Sequence, residues 1–101
     1  MKVENMVSNK GNSIPNQFII HDNENECSYF QSYNSMIVKK YYDIEKGYCV
    51  PIGTPRGIYL DIKYWDYSKT TSKYRNMFLD MKTQEIKKGI KEGSIILTNL
   101  N

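Results

Sequence analysis

The sequence is poor in the residues that form catalytic and metal centres. Its 101 residues contain one histidine and two cysteines, Cys27 and Cys49, which are not in a C-x-x-C arrangement. Structural zinc sites need four Cys or His ligands, so the sequence predicts no metal site. A chain of this length can form one core but not a roomy cofactor cavity as well, so we expect no cofactor. It also lacks a signal-peptide pattern and any apolar run near the ~18 residues of a membrane span. We therefore expect a cytoplasmic protein with reduced thiols and no membrane partner.

The spacing of the potential catalytic residues does not match that of a known type of active site. His21 is the only imidazole and lies in an acidic turn, where an isolated histidine is usually a surface residue. The glycine-rich stretch 53–57 lacks the Walker pattern and precedes a strand, which favours a turn. A metal-dependent nuclease site at Asp61 and Asp66 is a weak alternative, because no E-x-K or D-x-D pattern reinforces it. The sequence therefore predicts a protein that is not an enzyme.

Tyrosine, by contrast, is abundant. The chain has nine Tyr, 40% apolar residues and 25% charged residues, values that suit one globular domain of this length. Tyr can bury its ring while its hydroxyl stays available to solvent or a partner. Positive charge is concentrated in residues 68–101, where seven basic side chains face three acidic ones. That end of the chain is a candidate surface for an anionic partner.

The pattern along the chain predicts an α+β fold. Residues 1–15 are polar and aperiodic and are predicted to be a flexible arm, and residues 16–101 are predicted to form a single domain. Strands are expected at 17–20, 27–40, 58–65 and 94–100, with a long connection over 41–57. Two helices are expected between the last two strands. The predicted architecture is a two-layer domain with a mainly antiparallel sheet of three to five strands and both helices packed on one face.

Side-chain spacing also predicts which residues face the core. Alternation over 58–65 places one set inward, namely Ile58, Leu60, Ile62 and Tyr64. Asp66 or Ser68 is predicted to cap the first helix. Its buried stripe is predicted at helical spacing over Tyr74, Met77, Phe78 and Met81. Thr83 is predicted to cap the second helix, and Gly93 to end it.

The strongest candidate site is the corner between the third strand and the first helix. Its proposed binding residues are Trp65, Tyr67, Ser68, Lys69, Thr70, Thr71, Lys73, Arg75 and Asn76. Helix N-terminal amides and hydroxyls suit an anion, the three basic side chains could neutralise phosphates, and the rings could stack on bases. Trp, Tyr and Arg also dominate protein interfaces. An ordinary strand-to-helix corner with a good cap would show the same residues.

Two segments resemble a family of small uncharacterised proteins from bacteriophages and other mobile elements. The first, residues 29–37, contains F-x-S-Y-N-S, and the second, residues 64–79, contains Y-W-D-Y-S-x-T-T-S-K-Y-R-N-x-F-L. Residues 86–101 are also similar to that family, whereas 49–57 and Asp80-Met81 depart from its pattern. The resemblance implies an accessory protein rather than a particular activity, and anti-CRISPR proteins are one such group.

Two binding functions remain open at this stage, beside the weak nuclease alternative. The first is an inhibitor that binds a host protein or nucleoprotein complex of a defence system. The second is a small regulator that binds DNA or RNA through the basic region 68–91. The sequence leaves the oligomeric state undecided, and a homodimer is compatible with it.

Overall fold

The computed structural model describes residues 2–43, 48–49 and 57–101, without the side chains of residues 42–43 and 48–49. Most of the predicted connection over 41–57, including residues 53–56 of its glycine-rich stretch, therefore lies outside the described residues, as does the side chain of Cys49. The elements in chain order are β1 (Lys2–Val7), β2 (Ser13–Asp22), β3 (Cys27–Ser32), β4 (Ser35–Asp43), β5 (Tyr48–Cys49), β6 (Ile58–Asp61), α1 (Lys69–Leu79), α2 (Thr83–Glu92) and β7 (Ile95–Thr98).

The strands form one mostly antiparallel sheet. Six of them lie side by side in the order β1-β2-β3-β4-β6-β7, and β5 pairs with β4 off this path. Only β6 and β7 are parallel among the described pairs, since α1 and α2 form the crossover between them. The predicted α+β class with two helices is confirmed. The predicted number of strands, three to five, is too low.

One additional strand comes from the segment predicted to be a flexible arm, which is a correction to that prediction. Lys2–Val7 forms β1, which pairs antiparallel with β2, and β2 itself begins at Ser13. Met6 is buried in the core, whereas the other described residues of β1 are exposed. An edge strand with a single inward anchor shows no apolar alternation, so its sequence resembles that of a loop.

Another strand arises because the predicted strand 27–40 is a hairpin. Ser32 and Ser35 face each other at the ends of β3 and β4, and only Tyr33 and Asn34 connect them. Tyr33 adopts a left-handed conformation with φ 56° and donates its N–H to Asn16 O at 2.7 Å. Two-residue hairpins normally carry Asn-Gly or Asp-Gly, so this turn gives no ordinary sequence signal.

Strand β6 is shorter than predicted because Asp61 ends it. The Asp61 carboxylate accepts hydrogen bonds from the N–H groups of Lys63 (3.1 Å) and Tyr64 (2.9 Å), which turns the chain. Within the strand, Ile58 and Leu60 are buried, as predicted. Ile62 follows the turn and is 60% exposed, so its prediction as a core residue is wrong.

Helix α1 begins where predicted but buries a different stripe. The Ser68 hydroxyl accepts the Thr71 N–H at 3.1 Å and caps the helix. The buried residues of α1 are Thr71, Arg75 and Leu79. The predicted stripe lies at the edge of the contact or outside it: Tyr74, Phe78 and Met81 are partly buried, and Met77 is exposed. The apolar pattern misses this face because two of its three buried residues are polar.

Helix α2 ends as predicted at Gly93, whose φ is 83°. Its cap is Lys82 rather than Thr83, and Glu85 accepts the Lys82 N–H at 3.1 Å. Gly89 allows α2 to lie close to β7, because a Cβ there would be 2.6 Å from Ile95 Cδ1.

Neither α1 nor α2 is long and apolar enough to cross a membrane, and the same is true of every helix in the described part of the chain.

Both helices contact the same face of the sheet. The Phe78 ring of α1 stacks on Phe30 with 5.9 Å between centroids, and the Phe78 carbonyl accepts a hydrogen bond from Lys40 Nζ at 3.2 Å. Gly89 of α2 packs against Ile95. Cross-strand pairing places Phe30, Lys40 and Ile95 on one side of the sheet. We call this side the helix-packed face.

Candidate functional site

The two segments that carry the sequence resemblance, 29–37 and 64–79, meet in a surface cleft of about 290 Å³. It lies between the β3–β4 turn and the start of α1, and we call it the tyrosine cleft. Its lining residues are Ser32, Tyr33, Ser35, Ile37, Tyr64, Tyr67, Ser68 and Thr71. The segments are about 30 residues apart in the chain, so the cleft exists only in the folded protein.

Tyr33 forms one side of the cleft in an unfavourable backbone conformation. Its φ of 56° lies in the left-handed region, which Gly and Asn tolerate and a bulky side chain rarely adopts. Such a conformation costs on the order of 1 kcal/mol in a bulky residue, and strained conformations cluster at functional sites. The Tyr33 side chain is 52% exposed, so burial of the ring does not account for its presence.

Tyr64 and Tyr67 form the opposite side. The turn set by Asp61 places Tyr64, and the Tyr67 N–H continues the turn by bonding Tyr64 O at 3.3 Å. Their rings are 5.6 Å apart at 72°, an edge-to-face arrangement that orients the Tyr67 ring. Tyr67 is 71% exposed, the highest value among the large apolar and aromatic side chains described. The ring is therefore presented to solvent by a hydrogen-bonded turn.

Hydroxyl groups lie deeper in the cleft. Ser32 and Thr71 are buried, and their hydroxyl oxygens are 3.0 Å apart, which joins the end of β3 to the first turn of α1. Ser68 is exposed and caps the helix through its own hydroxyl. The cleft thus combines aromatic walls with hydrogen-bonding groups on a hydrogen-bonded support, a composition suited to selective binding.

The prediction that Arg75 contacts a ligand is corrected by its burial. Arg75 is fully buried and donates hydrogen bonds to the Trp65 carbonyl and to Asp66 Oδ1, the second at 3.4 Å. It also donates to Asn76 Oδ1 at 3.0 Å and Thr83 Oγ1 at 3.2 Å. Burial lowers the pKa of its guanidinium, and the neighbouring Asp66 opposes that shift. Arg75 therefore fastens α1 to the turn before it and to the start of α2.

Other predicted residues are distributed over this region. Trp65 is half-buried against the core, with its ring 5.3 Å from the Arg75 guanidinium, and Asn76 donates to Thr83 Oγ1 at 2.9 Å. Lys69, Thr70 and Lys73 are exposed on α1. Of the nine predicted binding residues, the cleft contains Tyr67, Ser68 and Thr71.

Sequence reasoning missed the five other lining residues. They are Ser32, Tyr33, Ser35, Ile37 and Tyr64. Four of them belong to the F-x-S-Y-N-S segment and the residues directly after it. The pairing of that segment with 64–79 in the resemblance was the one signal that could have indicated their proximity.

The two carboxylates of the nuclease alternative are both engaged within the protein. Asp61 is buried, and each of its carboxylate oxygens accepts two hydrogen bonds, which involve Lys63 N, Tyr64 N, Leu100 N and Asn101 Nδ2. Asp66 accepts from Ser72 Oγ at 3.0 Å and from Arg75. Within the described ranges, no group of three or more His, Cys, Asp or Glu side chains could hold a metal ion.

A second polar cluster was not expected from the sequence, because one of its members lies in β1. His21 Nδ1 lies 3.2 Å from Ser28 Oγ, and its Nε2 lies 3.1 Å from Glu4 Oε1. The hydrogen bond with His21 lowers the pKa of Glu4. Ser28 is buried, and the three residues lie on adjacent strands, so this cluster joins the edge strand β1 to β2 and β3.

Fold and cleft together define a small α+β domain with an aromatic, hydroxyl-lined surface cleft. By sequence, the chain belongs to the family of unknown function DUF8033, whose family model matches residues 1–94. The matched region contains all eight of the described residues that line the cleft. No curated protein and no solved structure matches the chain.

Proposed function

We propose that this chain is a non-enzymatic binding protein that holds a side chain of a partner protein in the tyrosine cleft. The observation that carries the proposal is Tyr33, a half-exposed ring held at a left-handed turn position where Gly or Asn would be less strained. Because Gly or Asn would make the turn more stable, a role of the Tyr33 ring in binding a partner explains why tyrosine occupies this position.

The size and chemistry of the cleft support a protein partner. About 290 Å³ lies just below the usual range for small-molecule sites and suits one or two protein side chains. Its described lining consists of phenol rings, aliphatic hydroxyls and Ile37. Tyr rings at the rim offer large contact area with little conformational entropy to lose, which is how interface hot spots commonly work.

The biological role that we propose follows from the resemblance to phage and mobile-element proteins. In this role the chain acts in the cytoplasm of a bacterial host and inhibits a defence complex by stoichiometric binding, as anti-CRISPR proteins do. The partner is then a host protein or nucleoprotein complex. A small cleft on a hydrogen-bonded support suits an inhibitor that blocks a surface without chemical turnover.

Replacement of Tyr67 should separate binding from folding. Tyr67→Ala removes the most exposed ring of the cleft, and we expect at least a ten-fold loss of affinity for the partner that the native chain retains from host lysate. The unfolding midpoint should change little, because Tyr67 buries little area. Quantitative pull-down followed by titration with the purified partner measures the first effect, and thermal unfolding measures the second.

Met77→Ala is the matched control, because Met77 is also an exposed large side chain of this region but does not line the cleft. It should retain the partner at the native level. Equal retention by the native chain and the Tyr67 variant would contradict the proposal. Failure of the native chain to retain any host protein above background would also contradict it.

A second candidate function, nucleic-acid binding through residues 68–91, is favoured by the exposure of Lys69 and Lys73 on α1. It cannot use Arg75, which is buried. Several phosphate contacts would make the affinity for DNA or RNA fall steeply with salt concentration. Under this function, loss of Lys69 and Lys73 would weaken binding more than loss of Tyr67 does.

A further inference from the structure

A second surface lies on the side of the sheet opposite the helix-packed face, where one residue from each of six strands forms a continuous cross-strand row. The register pairs these residues in sequence across the sheet. The row consists of Val3, Ile20, Tyr29, Lys39, Tyr59 and Ile96, of which Ile20 is buried and the other five are at least partly exposed. In the middle of the row, Lys39 lies between Tyr29 and Tyr59. We call the whole set the tyrosine–lysine row.

Lys39 is held among aromatic rings at the centre of the row. Its Nζ lies 5.7 Å from the centroid of Tyr29 and 4.8 Å from that of Tyr41. A hydrogen bond with Tyr41 raises the pKa of Lys39, so its ammonium group stays charged at neutral pH. The Tyr41 and Tyr59 rings are 5.9 Å apart at 75°, edge to face. All four side chains are half-buried, which leaves part of each ring and of the cation at the surface.

Beside the row lies a groove of about 420 Å³. Lys39, Tyr41 and Tyr59 form one part of its wall, and Thr98 and Asn99 contribute polar groups to the other. The groove therefore offers aromatic rings, a fixed positive charge and hydrogen-bonding groups within one site. That combination suits a nucleotide. The rings can stack on the base, the positive charge can pair with the phosphate, and the polar groups can hydrogen-bond to the sugar or to the edge of the base.

We propose that this face binds single-stranded nucleic acid, with a base against Tyr59 in the groove and the adjoining phosphate near Lys39. Sheets that display aromatic residues on neighbouring strands bind single-stranded nucleic acid. A base that is not paired in a double helix is free to stack on an aromatic side chain. A second copy of the chain fits less well, since two such faces in contact would bury two lysine charges in one apolar layer. This surface is separate from the tyrosine cleft, so either proposal can fail alone.

The probes are a fluorescein-labelled twelve-residue uridylate RNA and the matching thymidylate DNA, with unlabelled uridine monophosphate as a competitor. We expect the native chain to bind both strands by fluorescence anisotropy, with affinity that falls as salt rises. Lys39→Met should weaken binding and reduce the slope of log affinity against log salt by about 0.7, the value for one phosphate contact. Tyr59→Ala should weaken it about ten-fold, and Tyr59→Phe, which keeps the ring, should bind as the native chain does.

Lys10→Met is the matched control, because it removes one exposed positive charge from the turn between β1 and β2, outside the groove and outside residues 68–91. It should bind at the native level, and circular dichroism should show the native fold for every variant. Equal losses for the Lys39 and Lys10 variants would overturn the proposal in favour of attraction by net charge. Absence of binding to either strand at low salt, or binding that the monophosphate alone displaces at equal concentration, would overturn it too.

Discussion

Replacement of Arg75 by Met is expected to lower the free energy of unfolding by about 3 kcal/mol. The guanidinium is fully buried and donates hydrogen bonds to Trp65 O, Asp66, Asn76 and Thr83. Met fills a similar length but leaves the Trp65 carbonyl without this donor, and a partly buried carbonyl without a hydrogen bond is costly. Urea unfolding followed by circular dichroism measures the change.

Two further variants separate the contribution of the positive charge from that of the hydrogen bonds. Arg75→Lys keeps the positive charge but cannot reach several acceptors at once, so it should recover only part of the loss. Lys73→Met removes an exposed charge from the same helix and should change stability by less than about 0.5 kcal/mol. An Arg75→Met protein as stable as the native chain would contradict the structural role assigned to this residue.

Asp61→Asn should lower the free energy of unfolding by a similar amount, about 3 kcal/mol at neutral pH. The native carboxylate accepts four hydrogen bonds at the point where β6, the following turn and residues 100–101 meet. An amide offers one acceptor oxygen, and its NH₂ group would face N–H donors. Asn101 also bonds both backbone groups of Met36, so the loss should extend to the beginning of β4 beside the cleft.

The contribution of Asp61 to stability depends on pH. Burial raises the pKa of Asp61, whereas the hydrogen bonds from Leu100, Asn101, Tyr64 and Lys63 lower it by a larger amount. The pKa of Asp61 in the folded protein is therefore below its ordinary value. A depressed folded-state pKa stabilises the protein above the unfolded-state value, near pH 4, and this contribution is lost as the pH falls through the folded-state value. The stability difference between native chain and Asp61→Asn should therefore shrink below about pH 4. A difference that stays constant down to pH 2 would contradict this origin.

The features predicted correctly from sequence are those set by local chemistry. Ser68 caps α1, Gly93 ends α2, and β7 lies where its apolar run indicates. In each case a residue within a few positions supplies the hydrogen bond or the backbone conformation, so the signal is contained in a short segment. The class of fold follows from the same segments taken together.

The features that the sequence did not reveal depend on distant partners. Val3 and the rest of β1 become a strand through pairing with β2, and Arg75 is buried only because Trp65, Asn76 and Thr83 surround it with acceptors. An arginine with such partners has the same local sequence signature as one that binds phosphate. The tyrosine cleft was missed for the same reason, because Tyr33 carries no local sign of its left-handed turn.

Tyr33→Gly gives the sharpest test of the tyrosine cleft as a binding site, because loss of this ring should have opposite effects on stability and on binding. Glycine relieves the left-handed conformation, so the free energy of unfolding should stay level or rise by up to about 1 kcal/mol. Affinity for the partner protein should fall at least ten-fold, because one wall of the cleft is lost. A variant that binds its partner as tightly as the native chain does would contradict the assignment of the tyrosine cleft as the binding site.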